Sequence, residues 1–397
     1  MQTAARNLNS MISPELRLAL WCSQPKNPGK EPAGGINNLL TRTIDWDLYL
    51  RLVLNNEIYP LVCRKLDMLT ESAVPREIIF SLQQQNRQSV SKTLHLAAEL
   101  VKILRVMDRN GIHTVVMKGI PLAYCLYGNI RLRPSQDLDI LVWPEDMTRA
   151  RKAIEAQGYF LQYPKSKDTP VRLKRWLKNS HHLSYWQPEK KIWLELHWRL
   201  NCYGMVIPLT RIETPTVQLA GQSINIIPAE KLLLYLSLHG AVHVWLDLKW
   251  LYDVDLMIRK ADFSWETLSY LANSLGLQSI LNQALILSCE LLATPIPANI
   301  AERLTRDTKA WNLAVMALQI IMKNNYRPES LKVIAYSVYE RKKYEFCLVS
   351  GWQPRVHYIL KRFFPTEEDL ELISLPDKLY FLYYIITIYT MHTRTNE

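Results

Sequence analysis

Residues Lys118 to Val142 read KGIPLAYCLYGNIRLRPSQDLDILV. Immediately before them, Ile112 to Met117 (IHTVVM) is a short β-branched run, the composition of a buried strand. That run ends at Lys118-Gly119, and Pro121 suits the first turn of a helix through Tyr127. Gly128 to Gln136, with Pro134, reads as a loop, and Asp137 to Trp143 (DLDILVW) as a second strand. Further on, Glu145 to Gln157 has amphipathic helical spacing and stops at Gly158. His182 to Trp186 and Lys191 to Trp198 (KIWLELHW) are two more strands. Strands interleaved with helices imply a core of α/β or α+β class.

On either side of this core the pattern is helical. The first 94 residues carry helical periodicity, interrupted by a loop at Asn27 to Gly35 (NPGKEPAGG). Pro228 opens a long apolar helix that runs from Glu230 past Gly240 to Ile258. Helices follow at Ser264–Leu275, Ile280–Leu292 and Ala310–Lys323, and a basic, aromatic stretch at Glu329–Gln353. The expected division is a helical segment over 1–94, a mixed core over 95–227 and an all-helical domain over 228–397.

The composition narrows the function. The chain has 397 residues, 48% hydrophobic and 21% charged, enough to bury a substantial core. No Gly-x-Gly-x-x-Gly and no Gly-x-x-x-x-Gly-Lys occurs, which argues against a Rossmann dinucleotide site and a P-loop. Six dispersed cysteines without a Cys-x-x-Cys pair fit a reducing, cytoplasmic setting. The most apolar run, Leu379 to Thr390, has 12 residues, whereas a membrane span needs about 20, so no stable membrane insertion is expected. The net charge of +11 favours an anionic partner. Arg149 to Arg199 carries 12 Lys/Arg against 4 Asp/Glu, and Glu302 to Arg362 carries 12 against 5.

The chemistry concentrates on three acids. Asp137 and Asp139 are separated by one residue on a strand, so both side chains share a face while Leu138, Ile140 and Val142 take the other. Two such carboxylates repel unless a cation lies between them, and their oxygens suit a hard ion such as Mg²⁺. In Lys191–Trp198, Trp193, Glu195 and His197 share one face and Ile192, Leu194 and Leu196 the other. Glu195 therefore supplies a third acid, and three acids on neighbouring strands suit two-metal phosphoryl transfer. Lys118, Gly119, Arg133 and Ser135 precede the acids and are candidates for phosphate oxygens. Alternatively, Arg131 and Arg133 belong to a solvated loop. On the long helix, His239, His243, Leu246, Trp250 and Asp253 recur at steps of 4, 3, 4 and 3, one face that would line a substrate cleft or pack in the core. His181 and His182 read as strand-edge contacts.

The order strand, glycine, helix, loop arginine, Asp-x-Asp strand and later acid strand resembles the polymerase-beta-like nucleotidyltransferase superfamily. More closely, the chain resembles a bacterial family of uncharacterised nucleotidyltransferases. The resemblance rests on VMKGIPLAYCLYGNIRLRPSQDLDILV, the histidine pair at 181–182, LELHWRL at 194–200 and PAEKLLLYLSLHGAVHVWLDLKWLYDVDLMI from Pro228. It departs from the superfamily at Lys118-Gly119-Ile120, where a Gly-Ser signature is usual, and in a long spacing to Asp137. The resemblance implies an α+β fold with a mixed sheet and a metal-dependent enzyme. It would move a nucleoside monophosphate from an NTP to an acceptor with Mg²⁺ or Mn²⁺. Asp137, Asp139 and Glu195 would hold the ions, and Lys118, Gly119, Arg133 and Ser135 the phosphates. The acceptor would be a peptide or natural product, a protein, a tRNA or a small molecule.

Two other readings use the same residues. A non-catalytic RNA- or nucleotide-binding module would use the basic stretches with their interleaved aromatic residues, but leaves the acids without a purpose. A glycosyltransferase with an Asp-x-Asp motif explains the acids, but neither Lys118-Gly119 nor Glu195.

Overall fold

The computed structural model describes residues 7–24, 43–66, 74–163, 180–202, 205–325, 331–349, 355–356, 365, 369, 372–373 and 375–394. The loop expected at Asn27–Gly35 lies outside these residues, as does much of the first basic stretch.

In chain order the helices α1 (Pro14–Ser23), α2 (Trp46–Asn55), α3 (Tyr59–Leu66) and α4 (Arg76–Arg109) lead to strand β1 (Thr114–Val116). Then come β2 (Asp137–Val142), α5 (Met147–Glu155), β3 (Phe160–Tyr163), β4 (His182–Gln187) and β5 (Ile192–His197). Two small hairpins follow, β6 (Leu200–Cys202) with β7 (Met205–Ile207), and β8 (Thr216–Leu219) with β9 (Gln222–Asn225). The remainder is helical: α6 (Ala229–Val242), α7 (Lys249–Lys260), α8 (Trp265–Ser274), α9 (Gln278–Leu292), α10 (Ala298–Arg306), α11 (Thr308–Asn325), α12 (Leu331–Leu348) and α13 (Leu382–Arg394). Among the described residues, no helix is long and apolar enough to cross a membrane.

The chain forms two compact units, each assembled from separate segments. One unit comprises Ile103–Val115, Asp137–Leu209 and Val349–Glu397. Its centre is a five-stranded sheet of order β1-β2-β5-β4-β3. Strand β5 runs parallel to β2 and antiparallel to β4, and β3 is antiparallel to β4, so the sheet is mixed. Alternation along the strands sorts the side chains. Leu138, Ile140 and Val142 of β2, Ile192, Leu194 and Leu196 of β5, and Leu183 and Tyr185 of β4 are all buried. Each such aliphatic side chain contributes about 1.5–3 kcal/mol by leaving water. Helix α5 buries Met147, Ala150 and Ile154 in the same unit, and its Arg151 and Glu155 bond the Tyr185 hydroxyl.

The other unit comprises Met1–Lys102, Val116–Gln136 and Thr210–Leu348. Helix α9 packs against α6, α7 and α11 and buries Ile280, Leu281, Ala284, Leu285 and Leu287. Gln283 can be buried there because its amide donates to the Leu313 carbonyl and the Tyr344 hydroxyl.

The single long helix expected from Glu230 to Ile258 is two helices. Helix α6 stops at Val242, and Val244 and Trp245 both take positive φ, 58° and 57°. This turn folds the Trp245 ring back over Gly240, where a Cβ would meet it at 2.4 Å. Trp245 is fully buried, and its backbone N–H donates to the Gly240 carbonyl at 2.7 Å. Burial of the indole offsets the strain of two non-glycine residues in the left-handed region.

Candidate active site

Register brings the site together. In the β2–β5 ladder Asp137 stands opposite Trp193, Asp139 opposite Glu195 and Leu141 opposite His197. In the β4–β5 ladder Ser184 stands opposite Glu195 and His182 opposite His197. Because side chains alternate, Asp137, Asp139, Glu195, His197, His182 and Ser184 occupy one face of three adjacent strands. The leucines and isoleucines between them take the buried face.

Three of these side chains converge. His197 Nε2 lies 3.4 Å from Asp139 Oδ1 and 3.2 Å from Glu195 Oε2. Donor atoms of Asp139, Glu195 and His197 all fall within 4.8 Å of one another, and Asp137 is not one of that group. Asp139 and His197 are buried, while the Glu195 side chain is 31% exposed. Burial works against a charged imidazole, but contacts with Asp139 and Glu195 outweigh it and push His197 up to about 9. For Glu195, burial alone would raise the carboxyl; the His197 contact prevails and holds it below its ordinary value. The two carboxylates supply oxygen donors of the kind that Mg²⁺ or Mn²⁺ takes, with the His197 imidazole within reach of both.

His197 is the member that sequence reasoning did not assign to the site. The alternation Trp193, Glu195, His197 already placed it on the face of Glu195. Its proximity to Asp139 follows only from the pairing of β5 with β2.

The other expected site residues belong to the second unit. Gly119 has φ 73° and ψ −124°, a conformation that side chains other than glycine's resist. Lys118 lines a mainly apolar cavity of about 260 Å³ together with Pro121, Leu122, Met257 and Lys260. Ser135 is buried, and its hydroxyl finds no hydrogen-bond partner among the described residues. Arg133 is not a solvated loop residue: it is 3% exposed and grips Asp253 with two bonds, Nε to Oδ1 at 2.7 Å and Nη2 to Oδ2 at 2.8 Å. Tyr127 donates its hydroxyl to the same carboxylate at 2.8 Å.

Of the helical face expected to line a cleft, Asp253 is fully buried and paired with Arg133. His239 and His243 on or beside α6 and Trp250 on α7 do meet. Their ring centroids lie 4.6 Å apart for the two histidines, and 5.0 and 5.2 Å from each to Trp250.

A mixed α+β architecture with acids converging from two strands of a mixed sheet is consistent with a nucleotidyltransferase domain. The chain belongs to the family described as uncharacterised nucleotidyltransferase, whose profile matches residues 42–293, well over half its length. Searches of curated proteins and of solved structures return no significant match to it.

Proposed function

We propose that the protein is a metal-dependent nucleotidyltransferase with a polymerase-beta-like catalytic sheet, transferring a nucleoside monophosphate from an NTP to an acceptor hydroxyl. The observation that carries this reading is the Asp139–Glu195 pair. Two acids are fixed side by side on parallel strands, one buried and one half-exposed, around a shared cationic partner.

The acceptor oxygen would attack the α-phosphorus, the bond from that phosphorus to the α,β-bridging oxygen would break, and pyrophosphate would leave. Glu195, the more accessible acid, would take the acceptor proton. Asp139 and Glu195, with Asp137 from the same face, would hold Mg²⁺ or Mn²⁺, which neutralises the triphosphate and the charge that builds on it during transfer. Nucleotidyltransferases generally use divalent metals, and the donor set here has the right chemistry for one. Lys118, Gly119 and Ser135 are assigned to the phosphates by their order in the motif. Arg133 is left out of that set because its guanidinium is committed to Asp253.

The test is incubation of the purified protein with each labelled NTP and a cell extract, followed by sorting of the label into RNA, protein, peptide and small-molecule fractions. Label that appears in one fraction with the wild type and not with Asp139→Asn supports the reading and names the acceptor class. No transfer of NTP label, with transfer instead of the sugar from a sugar-labelled nucleotide sugar, would replace it with glycosyl transfer.

A further inference from the structure

A second cluster of metal-ligating side chains adjoins the first and is not used by the proposed chemistry. Donor atoms of His181, His182 and His197 lie within 4.8 Å of one another. Their ring centroids are 4.5 Å apart for His181 and His182, 5.2 Å for His182 and His197, and 5.9 Å for His181 and His197. We propose that these three imidazoles form a nitrogen-rich site for a zinc-class divalent ion, sharing His197 with the acid cluster. This site goes beyond the transfer reaction and stands or falls independently of it.

The backbone fixes the positions of all three residues. His182 and His197 are paired across the β4–β5 ladder. The carbonyl of His181 accepts a hydrogen bond from the Trp198 N–H at 3.1 Å, which ties the residue before β4 to the residue after β5. In a tetrahedral zinc site, with Zn–N of about 2.0–2.1 Å, ligand nitrogens sit roughly 3.3 Å apart. Rotation of imidazole rings on a fixed sheet brings donors that begin within 4.8 Å to that spacing, without movement of the strands. His181 and His182 are half-buried, so an ion can enter from solvent and keep one position for water. Three histidines with an open fourth position are the ligand set of catalytic zinc.

The ligand chemistry selects the ion. Imidazole nitrogen suits Zn²⁺, Co²⁺ or Ni²⁺, whereas Mg²⁺ demands oxygen donors and retains its waters. The neighbouring Asp139 and Glu195 carboxylates add attraction for any cation. His197 is common to both clusters. A zinc-class ion on the histidines therefore withdraws His197 from Asp139 and Glu195 and leaves those two as an all-oxygen pair. The two sites would then sort a borderline ion from a hard one within one face of the sheet.

The experiment uses the full chain without a histidine tag, stripped with chelator and titrated with Co²⁺. The visible absorption of four- or five-coordinate Co²⁺ should develop to a single equivalent, be bleached by Zn²⁺ and resist a large excess of Mg²⁺. His181→Gln and His182→Asn should each weaken Co²⁺ binding by more than the roughly 10–100-fold that loss of an outer-shell partner costs. Asp139→Asn and His243→Asn should retain it. No absorption with the wild type would overturn the proposal, and so would a spectrum that survives both histidine changes together or is lost in Asp139→Asn. Anomalous scattering at the zinc edge, from zinc-soaked wild-type crystals, requires no variant. A peak among the three rings is expected, and a peak elsewhere or none would refute the site.

Discussion

Asp139 and Glu195 stand directly opposite each other in the parallel β2–β5 ladder, and His197 Nε2 lies 3.4 Å from one carboxylate and 3.2 Å from the other. Two acids fixed at this separation on a rigid sheet require positive charge between them. In the metal-free protein His197 supplies it. This relationship sets most of the expected behaviour of the site.

Asp139→Asn should abolish detectable transfer and reduce Mn²⁺ affinity by more than about 10–100-fold, since an anionic ligand is lost. Its effects on folding oppose one another: His197 loses one counter-charge, and Glu195 loses a like charge beside it. The melting temperature should therefore stay close to that of the wild type. Titration calorimetry and thermal melts on one preparation measure both, and Mn²⁺ affinity equal to that of the wild type would remove Asp139 from the ligand set.

Glu195→Gln should spare nucleotide binding and slow transfer by about 100-fold or more, the scale of a general base. A group that acts mainly in the transition state lowers the rate and leaves ground-state affinity in place. Single-turnover kinetics beside equilibrium NTP binding distinguishes this from a structural role, for which stability would fall and the rate per folded molecule would persist.

In chelator-treated protein, stability should decline between pH 6.5 and pH 9. The His197 pKa is raised in the folded state, so the folded protein retains a proton that the unfolded chain releases. The stabilisation is complete below the ordinary histidine value and is lost as pH rises through about 9. Its size should be on the order of 3 kcal/mol. Denaturant melts across this range should show the slope, and His197→Gln should flatten it. An unchanged slope in that variant would assign the effect to another group.

Asp253→Ala should destabilise the helical unit by about 3–5 kcal/mol, because it leaves the buried Arg133 guanidinium without its bidentate partner. Arg133→Lys should be destabilising by a smaller amount, since one ammonium keeps the charge but cannot reproduce the two parallel bonds. Urea melts give the ordering directly, and equal stability of Arg133→Lys and wild type would contradict the pairing as described.

Gly240→Ala should cost at least about 1–3 kcal/mol, the usual range for overpacking a well-packed core. The added Cβ would meet the Trp245 ring at 2.4 Å, and that indole is fully buried. A companion Trp245→Leu change should relieve part of the clash, a coupling that a double-mutant cycle measures.

The sequence by itself determined the strands of the site and the direction of their side chains. Period-two alternation in DLDILV and IWLELH is local, so it can be read without knowing what pairs with what. The family resemblance was likewise legible. The tertiary structure decided which side chains meet. Strand order and register depend on hydrogen bonds between residues more than 50 positions apart, as Asp139 and Glu195 are, and no local pattern encodes them. That is why His197 joined Asp139 and Glu195. The break after Val242 was hidden for a related reason. Val244 and Trp245 carry no turn signature, and their left-handed conformation is stabilised by burial of one indole against Gly240, a contact that exists only once the chain has folded back. The sequence offered Arg133 as a phosphate ligand or a solvated loop residue, and only the folded chain brings Asp253, 120 residues later, against it.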